Sequence, residues 1–229
     1  MNELLIIVLA YLIGSIPTSV WVSKFFFDFD IRDYGSHKIG ATNVLRTLGR
    51  GPAAVVFLFD LSKGVAPTLL ALLVPFLNVN GWGPAIAGVA ALLGHCFPIF
   101  IGFKGGRGVL TGAGALLVIS PFIFLISLVV TLVTIATSRF VSLGSVLGSL
   151  ATIVSGLIFF FVDLADPSFF IHVTFPDLLF LVIAPALVII FHYDNIGRLL
   201  SGTERKIGQK VQVEENPASP TNPSSKAQA

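Results

Sequence analysis

The sequence predicts an all-α integral membrane protein with seven transmembrane helices, some short or kinked, the N-terminus outside and the C-terminus cytoplasmic. Three observations predict it. Hydrophobic residues make up 55% of the 229 residues and charged residues only 11%, where soluble domains carry about 25% charge. Apolar stretches of about 20 residues, the length needed to cross a bilayer, recur along most of the chain. Of the 14 basic residues, every one except Lys63 falls in alternate gaps between those stretches, as cytoplasmic loops require.

The first span is read at 3–23. It has no basic leader and carries Glu3, so a retained helix is expected rather than a cleaved signal peptide. The second is read at 52–75 and the third at 82–101. The stretch 108–137 would make about 45 Å of helix at 1.5 Å per residue, against a hydrocarbon core of about 30 Å. Ser120-Pro121 sits in its middle, as at a helix start, so the stretch is one long kinked span or two short ones near 108–119 and 121–137. Charge decides for two, because only an odd number of spans gathers the cations on one side. Spans at 141–162 and 176–192 complete the set. Glu3, Asp163, Asp166 and Asp177 are then the charges left outside. Residues 1–209 read as one transmembrane catalytic domain, and 210–229, rich in Pro, Ser, Asn and Gln, as a disordered cytoplasmic tail.

The formal net charge of +2 gives no case for nucleic-acid binding. The lone Cys96 excludes a disulfide framework and a cysteine-based metal cluster. Carboxylates are almost absent from the spans, so a metal-using phosphotransferase is not expected, and neither is a cofactor.

Three polar, glycine-containing segments carry the chemistry, and all three fall on the cytoplasmic side. In Gly35–Arg46, the glycines free the backbone, Ser36, Thr42 and Asn43 offer hydrogen bonds, and Lys38 and Arg46 offer charge. Spacing alone reads equally as a solvated basic loop against anionic lipid headgroups. In Phe103-Lys-Gly-Gly-Arg-Gly108, Lys104 and Arg107 flank Gly105 and Gly106 where a helix begins, a suitable place for an anion. A loop that served only topology would not need both glycines. In His192–Gly208, His192, Asn195, Arg198, Glu204 and Lys206 lie close together, although Asp194 and Arg198 at i,i+4 also read as a surface salt bridge.

Asp60 and Lys63 share one face inside the second span, where charges are expensive and are usually paired or functional. Orienting the site is the main reading; Lys63 as a direct phosphate ligand is the sharper one. His95 is open between a proton carrier and a packed residue. Ser142 and Ser145 either donate into the site or cap and pack their helix. His172-Val-Thr-Phe-Pro-Asp177 matches the His-x-x-x-x-Asp signature of a well-known class of glycerolipid acyltransferases. Pro176 disrupts it and no cation accompanies it, so the match is read as accidental.

Taken in order, Gly14–Pro17, Gly35–Arg46, Asp60-Leu-Ser-Lys-Gly64, Gly94-His-Cys-Phe-Pro98, Phe103–Gly108 and His192–Gly208 resemble the bacterial acyl-phosphate:glycerol-3-phosphate acyltransferases. The resemblance runs from about residue 3 to residue 208. It implies a seven-span inner-membrane enzyme with a cytoplasmic active site. Its substrates would be acyl phosphate and glycerol 3-phosphate, its surroundings membrane lipid, and its product lysophosphatidic acid. It also implies roles for Ser36, Arg46, Lys104, His192 and Asn195 in catalysis, with Ser36, Asn43, Arg46, Lys104, Gly105, Gly106, Arg107 and Ser142 toward phosphate. Asp60, Lys63, His95 and Glu204 would support them. Arg107 keeps the charge where Lys is common in the family. The rival reading is a transporter of a phosphorylated anion, which would suit a cationic pocket but usually shows internal repeats, and none is visible.

Overall fold

The computed structural model describes residues 2–209, which are helical with no strand among them; the tail expected at 210–229 lies outside them. The first span is broken. Helix α1 (Asn2–Ser15) and helix α2 (Thr18–Phe27) meet at Ile16-Pro17, because Pro17 supplies no N–H to continue the ladder. A loop and the short helix α3 (Ala41–Thr47) follow. Then come α4 (Arg50–Leu73) and α5 (Trp82–Cys96). The stretch 108–137 forms two helices, α6 (Val109–Ile119) and α7 (Pro121–Ser138), separated by Ser120 in a non-helical conformation. Helices α8 (Val141–Ala165), α9 (Phe175–Ile190) and the short α10 (Tyr193–Leu200) complete the described helices.

Five helical stretches are long and apolar enough to cross a membrane, or six if the bent pair α9 and α10 counts as one. Helix α6, at 11 residues, gives only about 16 Å and is shielded by protein, packing on α4, α5 and α9. Many large apolar side chains point outward, such as Leu58, Leu73, Val129 and Phe161, which suits a lipid-facing surface.

Helix α5 is the centre. It packs on α1, α4, α6 and α9, and its sequence is rich in Gly and Ala. Lipid tails give no hydrophobic drive between helices, so close van der Waals approach must hold them. Small residues allow it. A Cβ at Gly14 would run into the Ala91 carbonyl, and one at Gly94 into the Tyr11 carbonyl. The α4–α6 crossing is built the same way: a Cβ at Gly64 would meet the Thr111 carbonyl, and one at Gly114 the Leu61 carbonyl. Helix α7 is peripheral and packs chiefly on α8. There Ser127 and Thr131 donate to the carbonyls of Gly148 and Gly144 at 3.0 and 3.2 Å.

The segment between α8 and α9 shows what the His-x-x-x-x-Asp match is made of. His172 Nδ1 lies 2.8 Å from Asp163 Oδ1, not at Asp177. Asp177 instead closes a capping box with Thr174 at the start of α9.

Gly114→Leu should therefore split the α4–α6 crossing. Overpacking costs about 1–3 kcal/mol even where side chains can yield, and here the obstacle is backbone. A clear fall in the melting temperature of detergent-purified protein is expected; an unchanged value would remove the crossing from the stabilising contacts.

Candidate active site

The three polar segments meet. The loop before α3, the turn between α5 and α6, and the start of α10 together line a cavity of about 260 Å3. His37 and Lys38 come from the first, Phe103–Arg107 from the second, and Phe191, Tyr193 and Asp194 from the third. One wall is aromatic, with Phe97 and Phe191 edge to face at 5.5 Å. Lys104 and Lys38 are exposed, and among the described residues neither has an ion-pair partner.

The turn is held by backbone. Gly105 N–H donates to the Cys96 carbonyl and Gly106 N–H to the His95 carbonyl, both at 3.1 Å. A Cβ at Gly105 would strike the His95 carbonyl, and one at Gly106 would strike His95 Nε2. Gly108 opens α6 at φ 76°, in the left-handed region, against the Leu92 side chain, so only glycine fits without strain. Arg107 Nε donates to the Phe191 carbonyl at 3.2 Å, tying the turn to the end of α9.

The first loop is shaped from within by Asn43, and this corrects its expected role. Its amide nitrogen donates to the carbonyls of Ile31, Tyr34 and Lys38 at 3.1–3.2 Å, and its Oδ1 accepts from Ser36 N–H at 3.1 Å. Asn43 thus spends its donors on the protein and has none free for phosphate. The Ser36 hydroxyl makes no hydrogen bond within the protein among those described, whereas its main chain is pinned by Asn43.

Glu204 is the hub of the third segment. Its Oε1 accepts from Ser142 Oγ and Asn195 Nδ2, each at 2.8 Å, and its Oε2 accepts from Arg198 Nε at 2.7 Å. Burial alone would raise this carboxyl, but the bonds from Asn195, Ser142 and Arg198 outweigh it and hold it below its ordinary value. Ser142 is accordingly occupied with Glu204. Arg198, read as an Asp194 partner from its i,i+4 spacing, reaches Glu204 instead because the chain turns at Gly202, φ 72°. This residue was visible in the motif but was not among the residues expected at the site.

Arg46 donates to the Arg205 carbonyl at 3.1 Å, and its Nε is buried with no partner. Burial pulls Arg46 below its usual value, Glu204 opposes that, and Arg205 and Arg198 add to it. Arg107 is lowered in the same way, by burial first and then by Arg198. These guanidinium groups stay charged but lie within electrostatic reach of one another, a concentration of positive charge that an anion would relieve. Asn195 Oδ1 is a second buried polar atom with no partner. His192 Nδ1 donates to the Val188 carbonyl at 2.7 Å, which fixes the tautomer and leaves Nε2 as its free nitrogen.

Asp60, Lys63 and His95 are buried behind the turn, at 2%, 4% and 5% exposure, and do not line the cavity. Lys63 is bonded to Asp60 rather than open to a ligand. Ser145 donates to the Val141 carbonyl, packing its own helix. A larger hollow of about 550 Å3 beside α2 contains Lys24 and Arg32, but both already pair with Asp30. Among the described residues no group of three or more His, Cys, Asp or Glu could hold a metal ion.

Glu204→Ala should lower the melting temperature at pH 7 by the equivalent of at least the about 1.5–3 kcal/mol of one hydrogen bond to a charged group. Because the folded value is lowered, the wild-type advantage is complete above the ordinary Glu value of 4.5 and is lost as pH falls through the folded value. Melting curves of both proteins from pH 7 to 3 check this; a gap that does not narrow would contradict it.

Residues 4–202 match the glycerol-3-phosphate acyltransferase family. A glycerol-3-phosphate acyltransferase of Streptococcus gordonii is 39% identical over 215 residues, 93% of this chain and 96% of the relative. One of Listeria monocytogenes is 41% identical over 210 residues, 90% of this chain and 97% of the relative. The crystal structure of PlsY (YgiH), an integral membrane glycerol 3-phosphate acyltransferase, superposes in its glycerol 3-phosphate form with a TM-score of 0.78 at 34% identity, covering 91% of this chain and 96% of that one. Its lysophosphatidic acid form gives a TM-score of 0.74 at 35% identity, covering 91% and 97%.

Proposed function

The chain belongs to the glycerol-3-phosphate acyltransferase family, and from that premise we propose that it moves a fatty acyl group from acyl phosphate to the 1-hydroxyl of glycerol 3-phosphate, giving lysophosphatidic acid and inorganic phosphate. The observation that carries this reading is the convergence of unpaired cations, Lys104 above all, on a cavity with an aromatic wall. Such a cavity suits a ligand with a phosphate at one end and an apolar chain at the other.

Acyl phosphate is a mixed anhydride and is already activated, so no covalent enzyme intermediate is needed, and among the described residues no serine or cysteine is hydrogen-bonded to a histidine as one would require. The 1-hydroxyl oxygen attacks the acyl carbonyl carbon, the bond from that carbon to the phosphate oxygen breaks, and phosphate leaves with the electron pair. The hydroxyl proton passes to a phosphate oxygen, whose second pKa of about 6 suits it. The protein's task is to hold two anions side by side and stabilise the charge that builds on the carbonyl oxygen and leaving phosphate. Arg46, Lys104, Arg107 and the Ser36 hydroxyl are assigned to the phosphates. Asn195 Oδ1 and His192 Nε2 are free acceptors suited to orienting the glycerol hydroxyls. Gly105 and Gly106, whose N–H groups are spent on α5 carbonyls, serve by letting the turn lie against α5 and so holding Lys104 and Arg107 at the cavity, not by donating to a phosphate.

The same reading takes α1 with α2, α4, α5, α6, α7, α8 and α9 as seven spans of one catalytic domain. The N-terminus lies outside, and the cavity faces the cytoplasm of the bacterial inner membrane. Its support is the placement of nearly all basic residues at one end of that path.

Purified protein given acyl phosphate and glycerol 3-phosphate should yield lysophosphatidic acid; absence of product would sink the reading. Lys104→Ala and Arg46→Ala should each lower the rate roughly tenfold to more than a hundredfold, because each removes a charge-assisted contact. His172→Ala should keep most activity, since its partner is Asp163. A loss of the 10²–10⁴-fold that a general base contributes would instead favour the His-x-x-x-x-Asp class.

Sidedness has its own measurement. In a Cys96→Ser background, a cysteine at Ser168 should react with an impermeant thiol reagent from outside, and one at Ser201 should not. Equal labelling of both would end the seven-span arrangement.

A further inference from the structure

We propose that Asp60, Lys63 and His95 are positioning residues for the Lys104–Arg107 turn, setting affinity for glycerol 3-phosphate through a buried ion pair that the substrate never touches. The inference rests on the reading that this turn holds a substrate phosphate.

The turn is strung between α5 and α6, and both of its ends are referenced to Asp60. On the α6 side, Thr111 Oγ1 donates to the Asp60 main-chain carbonyl at 3.0 Å, at the crossing where Gly64 lies against the Thr111 carbonyl. On the α5 side, His95 Nδ1 faces Asp60 Oδ1 at 3.9 Å and makes no hydrogen bond among the described residues. Lys63 Nζ bonds the same carboxylate oxygen at 2.5 Å. From α5 the support passes to the turn itself. The His95 carbonyl accepts from Gly106 N–H, and the ring packs so closely beneath Gly106 that a Cβ there would strike its Nε2. Gly106 in turn lies under the Ile39 carbonyl of the first loop. One column thus runs from α4 through α5 to the two loops that line the cavity.

A purely structural role does not need these residue types. A buried ion pair is commonly replaced by apolar residues of similar volume without loss of stability, and charge inside a span is costly. What apolar residues could not do is fix the His95 ring. The Asp60 carboxylate, 3.9 Å from Nδ1 and so beyond hydrogen-bond reach, attracts that edge of the ring electrostatically and so biases the orientation of the ring beneath Gly106. Losing the pair would free the ring and let the turn shift, so the phosphate would meet misplaced donors.

The test removes both charges together, because removing one would leave an unpaired buried charge. Asp60→Asn/Lys63→Met and, separately, His95→Phe are purified alongside wild type. Melting temperature, glycerol 3-phosphate affinity by calorimetry, and KM and kcat with acyl phosphate are measured. The expectation for the double variant is a near-wild-type melting temperature, with glycerol 3-phosphate Kd and KM raised about tenfold or more and kcat changed much less. A folded double variant with wild-type affinity overturns the inference. Where the double variant does not fold, His95→Phe decides, because it keeps a ring under Gly106 but loses the nitrogen facing Asp60. Weakened affinity supports the column, and wild-type affinity overturns it. Wild-type protein that binds glycerol 3-phosphate without acylating it sinks the donor assignment alone and leaves the comparison of variants intact. Wild-type protein that binds none overturns both.

Discussion

Backbone-to-backbone approach between helices is the constraint on which the rest of this structure depends. A bilayer offers no hydrophobic reward for helix association, so contact distance must supply it. Gly14 against Ala91, Gly94 against Tyr11, Gly64 against Thr111 and Gly114 against Leu61 bring α1, α4, α5 and α6 within reach of one another's main chains. That closeness lets an 11-residue helix such as α6 sit inside the bundle, and it fixes the points from which the α5–α6 turn is suspended. The cavity is therefore rigid at its base, where the turn is hydrogen-bonded to the last residues of α5.

Charge is divided between two uses. Some charges are satisfied internally and act as fasteners. Glu204 draws Ser142, Asn195 and Arg198 together and so joins α8, α10 and the segment that follows. Asp60 and Lys63 close a pair within α4. Other charges have no ion-pair partner among the described residues: Lys38, Lys104, Arg46 and Arg107 are gathered at the cavity or beside it, with guanidinium groups that repel one another. Assembling them is unfavourable without an anion, and the fasteners hold them in place. In the proposed reaction two phosphates supply the missing negative charge, and the aromatic wall accepts the chain.

Individual residues show how far the sequence could be read. Lys104 with Gly105 and Gly106 was legible because cations and glycines in a turn before a helix have few other uses, and the cavity is lined by all three. The break at Ser120-Pro121 was legible because proline favours the first turn of a helix and lacks an N–H for its interior. Asn43 was misread because a side-chain amide serves loop and ligand equally well on paper. Only the positions of the Ile31, Tyr34 and Lys38 carbonyls assign it to the loop. Arg198 was paired with Asp194 from helical spacing, a rule that sees one helix at a time, whereas its carboxylate partner lies beyond the turn at Gly202.

The sequence by itself determined the membrane class, the approximate helices and the three polar segments that the fold brings together at one cavity. These follow from local properties: hydropathy, proline and glycine stereochemistry, and the sign of charge in each gap. Tertiary structure decided which polar atoms are spent and which remain free. It gave Glu204 its three donors, turned His192 Nδ1 to Val188, placed His95 between Asp60 and Gly106, and left Asn195 Oδ1 and Arg46 Nε without hydrogen-bond partners among the described residues. The physical reason is that a hydrogen bond depends on distances of about 3 Å between groups far apart in sequence, and no local pattern encodes those distances.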